Sequence, residues 1–184
     1  MNWKVQLEKF ERSKDWKSAI ELMQKTISEN PDNVEAYIRV IYLLHNILVE
    51  EDYPESEHDH IASLLKQYFD ESNKSFSDNT EYLFFIGKIL HIAEWYFGLN
   101  DRPGLMEQSC AFKMQKKAFE KEPGNALFEW AYRFSLDDKV AGYLAEQILL
   151  HDKTKAEWLK SKGFPGEYIL ESLIQSNENQ KSST

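Results

Sequence analysis

Apolar residues recur at spacings of three and four along nearly the whole chain, the pattern of helices that each bury one face. Trp16, Ala19, Ile20, Met23 and Ile27 form one stripe, and Ile61, Leu64, Leu65, Tyr68 and Phe69 form another. Val34, Tyr37, Ile38, Ile41, Leu44 and Leu48 make a third, widened by Val40, Leu43 and Ile47, so that this helix is expected to be buried on two sides. Tyr82, Phe85, Ile86, Ile89, Ala93, Tyr96 and Phe97 mark a second helix of the same kind. Asp32 with Glu35, Asp78 with Glu81, and Thr154 with Glu157 have the spacing of a capping box at a helix start. The breaks fall at Asn100-Asp101-Arg102-Pro103-Gly104 and Pro123-Gly124-Asn125, while Gly163 suits a helix end and Pro165 a helix start. These signals predict helices over 2–13, 15–29, 33–50, 57–72, 80–98, 104–121, 125–135, 138–151, 154–162 and 165–175. No stretch alternates with period two, so the expected fold class is all-α, with eight to ten helices in a single domain over 1–175. The polar tail, 176–184, is expected to fray.

One internal repeat stands out. Residues 19–33 (AIELMQKTISENPDN) align with 111–125 (AFKMQKKAFEKEPGN) at an offset of 92, which also pairs Trp3 with Trp95 and Leu44 with Leu136. A period this long points to two copies of a three- or four-helix unit stacked face to face. The first copy resembles a tetratricopeptide repeat. Trp3, Phe10, Ala19 and Pro31 stand at that family's spacing, and Trp95, Ala111, Ala118 and Pro123 match in the second copy, with Arg102 in place of an aromatic. The resemblance covers 1–48 and 93–136 and implies paired helical hairpins. A small residue at Ala19 or Ala111 would let two helices approach closely, and the proline would end the second helix. The stretch 49–81 departs from the pattern as an acidic insertion, and there is no regular 34-residue tandem.

Composition narrows the class further. A chain of 184 residues, 42% hydrophobic and 14% aromatic, can build one substantial core. The lone cysteine, Cys110, excludes an internal disulfide and a cysteine-based zinc site. The charged opening residues lack the apolar stretch of a signal peptide, and Lys88, His91 and Glu94 interrupt the longest apolar segment, so a cytoplasmic protein with no membrane span is expected. The net charge is -9 and is unevenly placed. Between Val49 and Glu81 ten acids (Glu50, Glu51, Asp52, Glu55, Glu57, Asp59, Asp70, Glu71, Asp78 and Glu81) face only Lys66 and Lys74. Such a surface repels nucleic acid and anionic membranes and attracts a basic protein.

No phosphate-cradling glycine loop, His-Glu-x-x-His or Gly-x-Ser-x-Gly is present, so catalysis has no anchor in the sequence and no cofactor is implied. Glu57-His58-Asp59-His60 is the densest set of metal-ligand types, but two histidines two residues apart on a helix point away from each other, and no metal is expected. His45 and His91 lie in apolar helices and read as core histidines. Cys110 reads as a packed thiol. The candidate partner-binding residues are Glu50, Glu51, Asp52, Tyr53, Glu55, Glu57 and Asp59, with Tyr53 as an aromatic anchor among acids. Trp158, beside Phe164-Pro165, is a second candidate edge. The expected function is a non-enzymatic protein-binding module for a basic partner. It is similar in style to the small acidic immunity proteins of bacteria, which neutralise basic nuclease toxins. Alternatives are a tetratricopeptide-like adaptor or co-chaperone and a helical metal-dependent enzyme or regulator. Against the adaptor, Lys113, Lys116, Lys117 and Lys121 crowd one helix, with no matching basic set on its neighbours.

Overall fold

The computed structural model describes residues 2–99 and 106–182. Among them the regular elements are all helical: α1 (Trp3–Ser13), α2 (Trp16–Glu29), α3 (Val34–Glu50), α4 (His58–Phe76), α5 (Thr80–Ala93), α6 (Cys110–Lys121), α7 (Ala126–Ser135), α8 (Val140–His151), α9 (Lys153–Lys160) and α10 (Phe164–Ser182). Short 3-10 helices occupy Glu55–Glu57, Glu94–Phe97 and Met106–Gln108. The all-α class read from the periodicity is the class observed. The expected helix start at 104 falls on residues outside those described.

The helix starts are set by short polar side chains that take up backbone N–H groups left without intrahelical partners. Asn33 accepts from the Ala36 N–H at 3.2 Å, Asn79 from Tyr82 at 2.9 Å, and Asp152 from Lys155 at 3.1 Å. Each cap is shifted from the capping box read in the sequence: by one residue from Asp32 and Asp78, and by two from Thr154. The acids assigned to two of those boxes do other work. Glu35 holds Lys4 at 2.6 Å and Arg39 at 3.1 Å, and Glu81 holds Lys162 at 2.7 Å. Gly163 has φ +63°, the left-handed conformation that its place between α9 and α10 requires.

The internal repeat is reproduced at its turns. Asn30 N–H donates to Thr26 O at 3.1 Å and Asn33 N–H to Asn30 O at 3.2 Å. At the equivalent positions Glu122 N–H donates to Ala118 O at 3.1 Å and Asn125 N–H to Glu122 O at 2.9 Å. The dihedrals follow suit, with φ/ψ of −145/79° at Asn30 and −134/69° at Glu122, and −84/93° at Asn33 and −89/104° at Asn125. Pro31 and Pro123 both lie in these turns, and Ala19 and Ala111 are both buried. The pairing of Trp3 with Trp95 does not carry over. Trp3 opens an α-helix and lies under the Arg39 guanidinium, 5.5 Å from ring centre to Cζ, whereas Trp95 sits in a 3-10 turn.

Among the described residues the backbone forms two compact units, one from 2–77 with 95–99, the other from 78–94 with 106–182. In the first unit α3 packs between α2 and α4 and is buried from Ala36 to His45 without interruption. That run includes Arg39, 1% exposed, whose guanidinium reaches Glu35 on its own helix and Glu8 on α1. In the second unit α5 packs on α6, α6 on α7, α7 on α8, and α8 on α9 and α10. α10 runs to Ser182, past the start of the expected frayed tail, because Ser176 and Asn177 are buried and Ser176 Oγ accepts from the Trp130 indole at 3.4 Å.

α9 and α10 meet at Gly166, where an added Cβ would collide with the Leu159 carbonyl oxygen. Gly166→Ala is therefore expected to destabilise the second unit by about 1–3 kcal/mol or more, since backbone rather than a flexible side chain must move. Gly124→Ala is the control: a Cβ there meets nothing within 4 Å, and its stability should match wild type in urea unfolding.

Candidate functional site

The first residues of the acidic insertion form the bend between α3 and α4 in the first unit, and most of the remainder is α4 itself. α3 ends at Glu50, Glu51 and Pro54 are extended, and a single 3-10 turn over Glu55–Glu57 leads into α4 at His58. Proline forces the extended approach, and the bend is rich in charges that favour solvent. Glu51 is the exception, drawn down onto Lys14 at 2.7 Å. Glu50, Asp52, Glu55, Glu57 and Asp59 are exposed, and none forms an ion pair among the described residues. The rest of the acidic run is spent internally: Asp70 pairs with Lys66 at 2.7 Å, while Asp78 in the second unit pairs with Lys117 and Lys121.

Four aromatic rings run along this bend. Tyr53 stacks on His58, with centroids 6.1 Å apart and planes 14° apart, His58 meets Tyr96 at 6.1 Å, and Tyr96 meets Trp95 at 5.9 Å. Burial, then the neighbouring Tyr96, raises the Tyr53 phenol above its ordinary value, and its hydroxyl is hydrogen-bonded to His58 Nδ1 at 2.6 Å. Tyr53 and His58 are half-buried; Trp95 is 69% exposed. The anchor expected at Tyr53 is thus held within the ladder, and the ring left facing solvent is Trp95. The sequence marked Trp95 as a repeat position paired with Trp3, not as an anchor, because Tyr96 and Phe97 continue the helical period of α5. The backbone instead tightens to a 3-10 turn that buries Phe97 and turns Trp95 outward.

His58 and His60 sit two apart at the start of α4, on diverging faces, and no group of three or more histidine, cysteine or acidic side chains is arranged to hold a metal among the described residues. Trp158 belongs to the second unit, where its ring lies 5.6 Å from Phe85 and 6.4 Å from Phe84, with Lys162 Nζ 5.0 Å above it. That packing explains its half-buried state. Lys117 and Lys121 of the basic helix are engaged with Asp78, and Lys116 with Glu120.

The second unit also holds a group whose setting the sequence did not disclose. Lys88 on α5, 2% exposed, points its ammonium at Trp130 (4.5 Å) and Phe134 (3.7 Å) of α7, and burial lowers its pKa to about 7. In the sequence it reads only as a charge interrupting an apolar segment.

No protein-family model, curated protein or solved structure matches the chain. Fold and site define it as an all-α protein of helical hairpins with an acidic, aromatic edge. Among the described residues no helix is long and apolar enough to cross a membrane.

Proposed function

We propose that the chain is a non-enzymatic protein-binding module that captures a basic protein on the Tyr53–His58–Tyr96–Trp95 edge, in the manner of an immunity protein neutralising a basic nuclease toxin. The observation that carries this reading is the exposure of Trp95 at one end of a ring series whose other end, Tyr53 and His58, lies on a bend with five exposed carboxylates that form no ion pair among the described residues. An acidic bend continued by a ring series that ends in an exposed indole supplies both halves of a docking surface. Long-range attraction speeds the encounter, and a large ring anchors the complex once water leaves. Glu50, Asp52, Glu55, Glu57 and Asp59 form the charged rim, with Tyr53 and His58 setting the aromatic floor.

The two parts predict different kinetics. Replacing Glu50, Asp52, Glu55 and Asp59 with Gln or Asn is expected to slow association by about tenfold at low salt and leave dissociation nearly unchanged. Added salt should slow the wild type more than this variant, because exposed charges are screened within about 8 Å at physiological ionic strength. Trp95→Ala should instead speed dissociation by about tenfold or more. The measurement is stopped-flow binding to a basic partner recovered by affinity capture and then purified. Binding indifferent to salt and to all five substitutions would remove this edge as the interface.

A further inference from the structure

We propose that Lys88 is a reactive amine that binds small aromatic aldehydes covalently, as an imine, beneath the ring of Phe134. This site lies in the second unit and owes nothing to the docking edge. Three features of the geometry point to it. The first is the placement of the amine. Lys88 Nζ is enclosed by two aromatic rings, 3.7 Å from the centroid of Phe134 and 4.5 Å from that of Trp130, and no carboxylate pairs with it among the described residues. An amine desolvated by apolar walls is held partly neutral at ordinary pH, and the neutral form is the nucleophile. Burial is the cause of its depressed pKa of about 7.

The second feature is access. Phe134 is 41% exposed, so the ring over the amine is itself at the surface, and the amine lies one side chain beneath solvent. Turning that ring aside would uncover Nζ, with Trp130 left as a flat wall suited to an aromatic ligand.

The third is a proton acceptor. His91 lies one helical turn beyond Lys88 on α5, with Nε2 3.2 Å from Ser135 Oγ. Ser135 Oγ also lies 2.9 Å from its acceptor Ala131 O, and with the hydroxyl proton on that bond the serine oxygen is the acceptor for a His91 Nε2–H. In that tautomer the Nδ1 lone pair is the proton acceptor. Burial of part of its ring, then the Lys88 charge, lowers the His91 pKa to about 4, so the ring is neutral at pH 7.

The chemistry balances without an added oxidant or reductant. The Nζ lone pair bonds to the carbonyl carbon as the C=O π pair moves onto oxygen. A proton passes from nitrogen to that oxygen, with His91 as the relay. The carbinolamine then loses its oxygen as water while the C=N bond forms.

The test uses the full chain at pH 7 with benzaldehyde as probe and cyanoborohydride to reduce any imine to a stable benzylamine, followed by peptide mapping. Lys88 is expected to be labelled before the other lysines, and its labelling rate to reach half-maximum near pH 7, against about 10 for surface lysines. Protein unfolded in urea should lose this preference. Phe134→Ala removes one of the walls that desolvate the amine, so the half-maximum for Lys88 labelling should move up from about pH 7 towards about 10, and His91→Gln should slow labelling by about tenfold. Both variants are surface-accessible changes whose helicity can be confirmed by circular dichroism. Labelling confined to surface lysines and the terminal amine, or a Lys88 rate that climbs only near pH 10, would overturn the proposal.

Discussion

Lys88→Met is expected to make the protein more stable at pH 7, by about 2–4 kcal/mol. The side chain keeps its length and apolar stem in the space between Trp130 and Phe134, while the charge that burial opposes is gone. The sign follows from proton binding. Lys88 has its ordinary pKa of 10.5 in the unfolded chain and about 7 in the folded one. Below about pH 7 both states carry the proton and the folded state bears the whole cost of enclosing it, of order 5 kcal/mol before the aromatic rings offset part of it. Between pH 7 and 10.5 the unfolded chain holds more protons, so the stability contributed by this group rises with pH. The difference between Lys88→Met and wild type should therefore be largest in mild acid and shrink towards zero as pH approaches 10.5. Urea unfolding of the pair at pH 6, 8 and 10 measures it. A variant less stable than wild type throughout would show that the rings and the ammonium form a net favourable contact. A lysine kept where methionine would be more stable is also what a reactive amine requires.

The helices were legible because each depends on a local rule. Apolar spacing located the helical segments, and Pro31 and Pro123 marked two turns that share hydrogen bonds and dihedrals. Helix starts were less legible because Asp32-Asn33 and Asp78-Asn79 offer two capping residues in a row, and only the entry path of the chain selects the asparagine. Burial of polar residues was not legible. α3 and α5 are apolar on so many sides that their period does not say where Arg39 and Lys88 point, and the groups that surround each come from elsewhere in the chain. For Arg39 these are Trp3 and Glu8; for Lys88 they are Trp130 and Phe134. At the candidate edge, the acids and Tyr53 were readable from composition alone. Trp95 was not, because the change from α to 3-10 winding after Ala93 leaves the hydrophobic pattern intact.

Acid is expected to weaken the first unit through His45, by about 3 kcal/mol between pH 6.5 and 4. His45 lies on α3 at 4% exposure, its ring 6.0 Å from that of Phe97 and its Nε2 without a hydrogen-bond partner among the described residues. Burial lowers its pKa from 6.5 to about 4. Above pH 6.5 the ring is neutral whether the chain is folded or not, and the group contributes no pH dependence. As pH falls through that value the unfolded chain takes up a proton that the folded one refuses, so stability drops until the folded ring also protonates near pH 4. A difference of this size in pKa corresponds to about 3 kcal/mol. His45→Phe removes both the titration and the unsatisfied nitrogen while keeping a flat ring against Phe97. The variant should match or exceed wild type at pH 7, and its advantage should grow by roughly 3 kcal/mol by pH 4. Carboxylates that titrate in the same range are common to both proteins and cancel in the comparison. His91→Phe in the second unit should shift stability in the same direction but less, because much of that residue faces solvent. If the urea midpoints of wild type and His45→Phe fall in parallel from pH 7 to 4, His45 is protonated without cost, and water must reach Nε2.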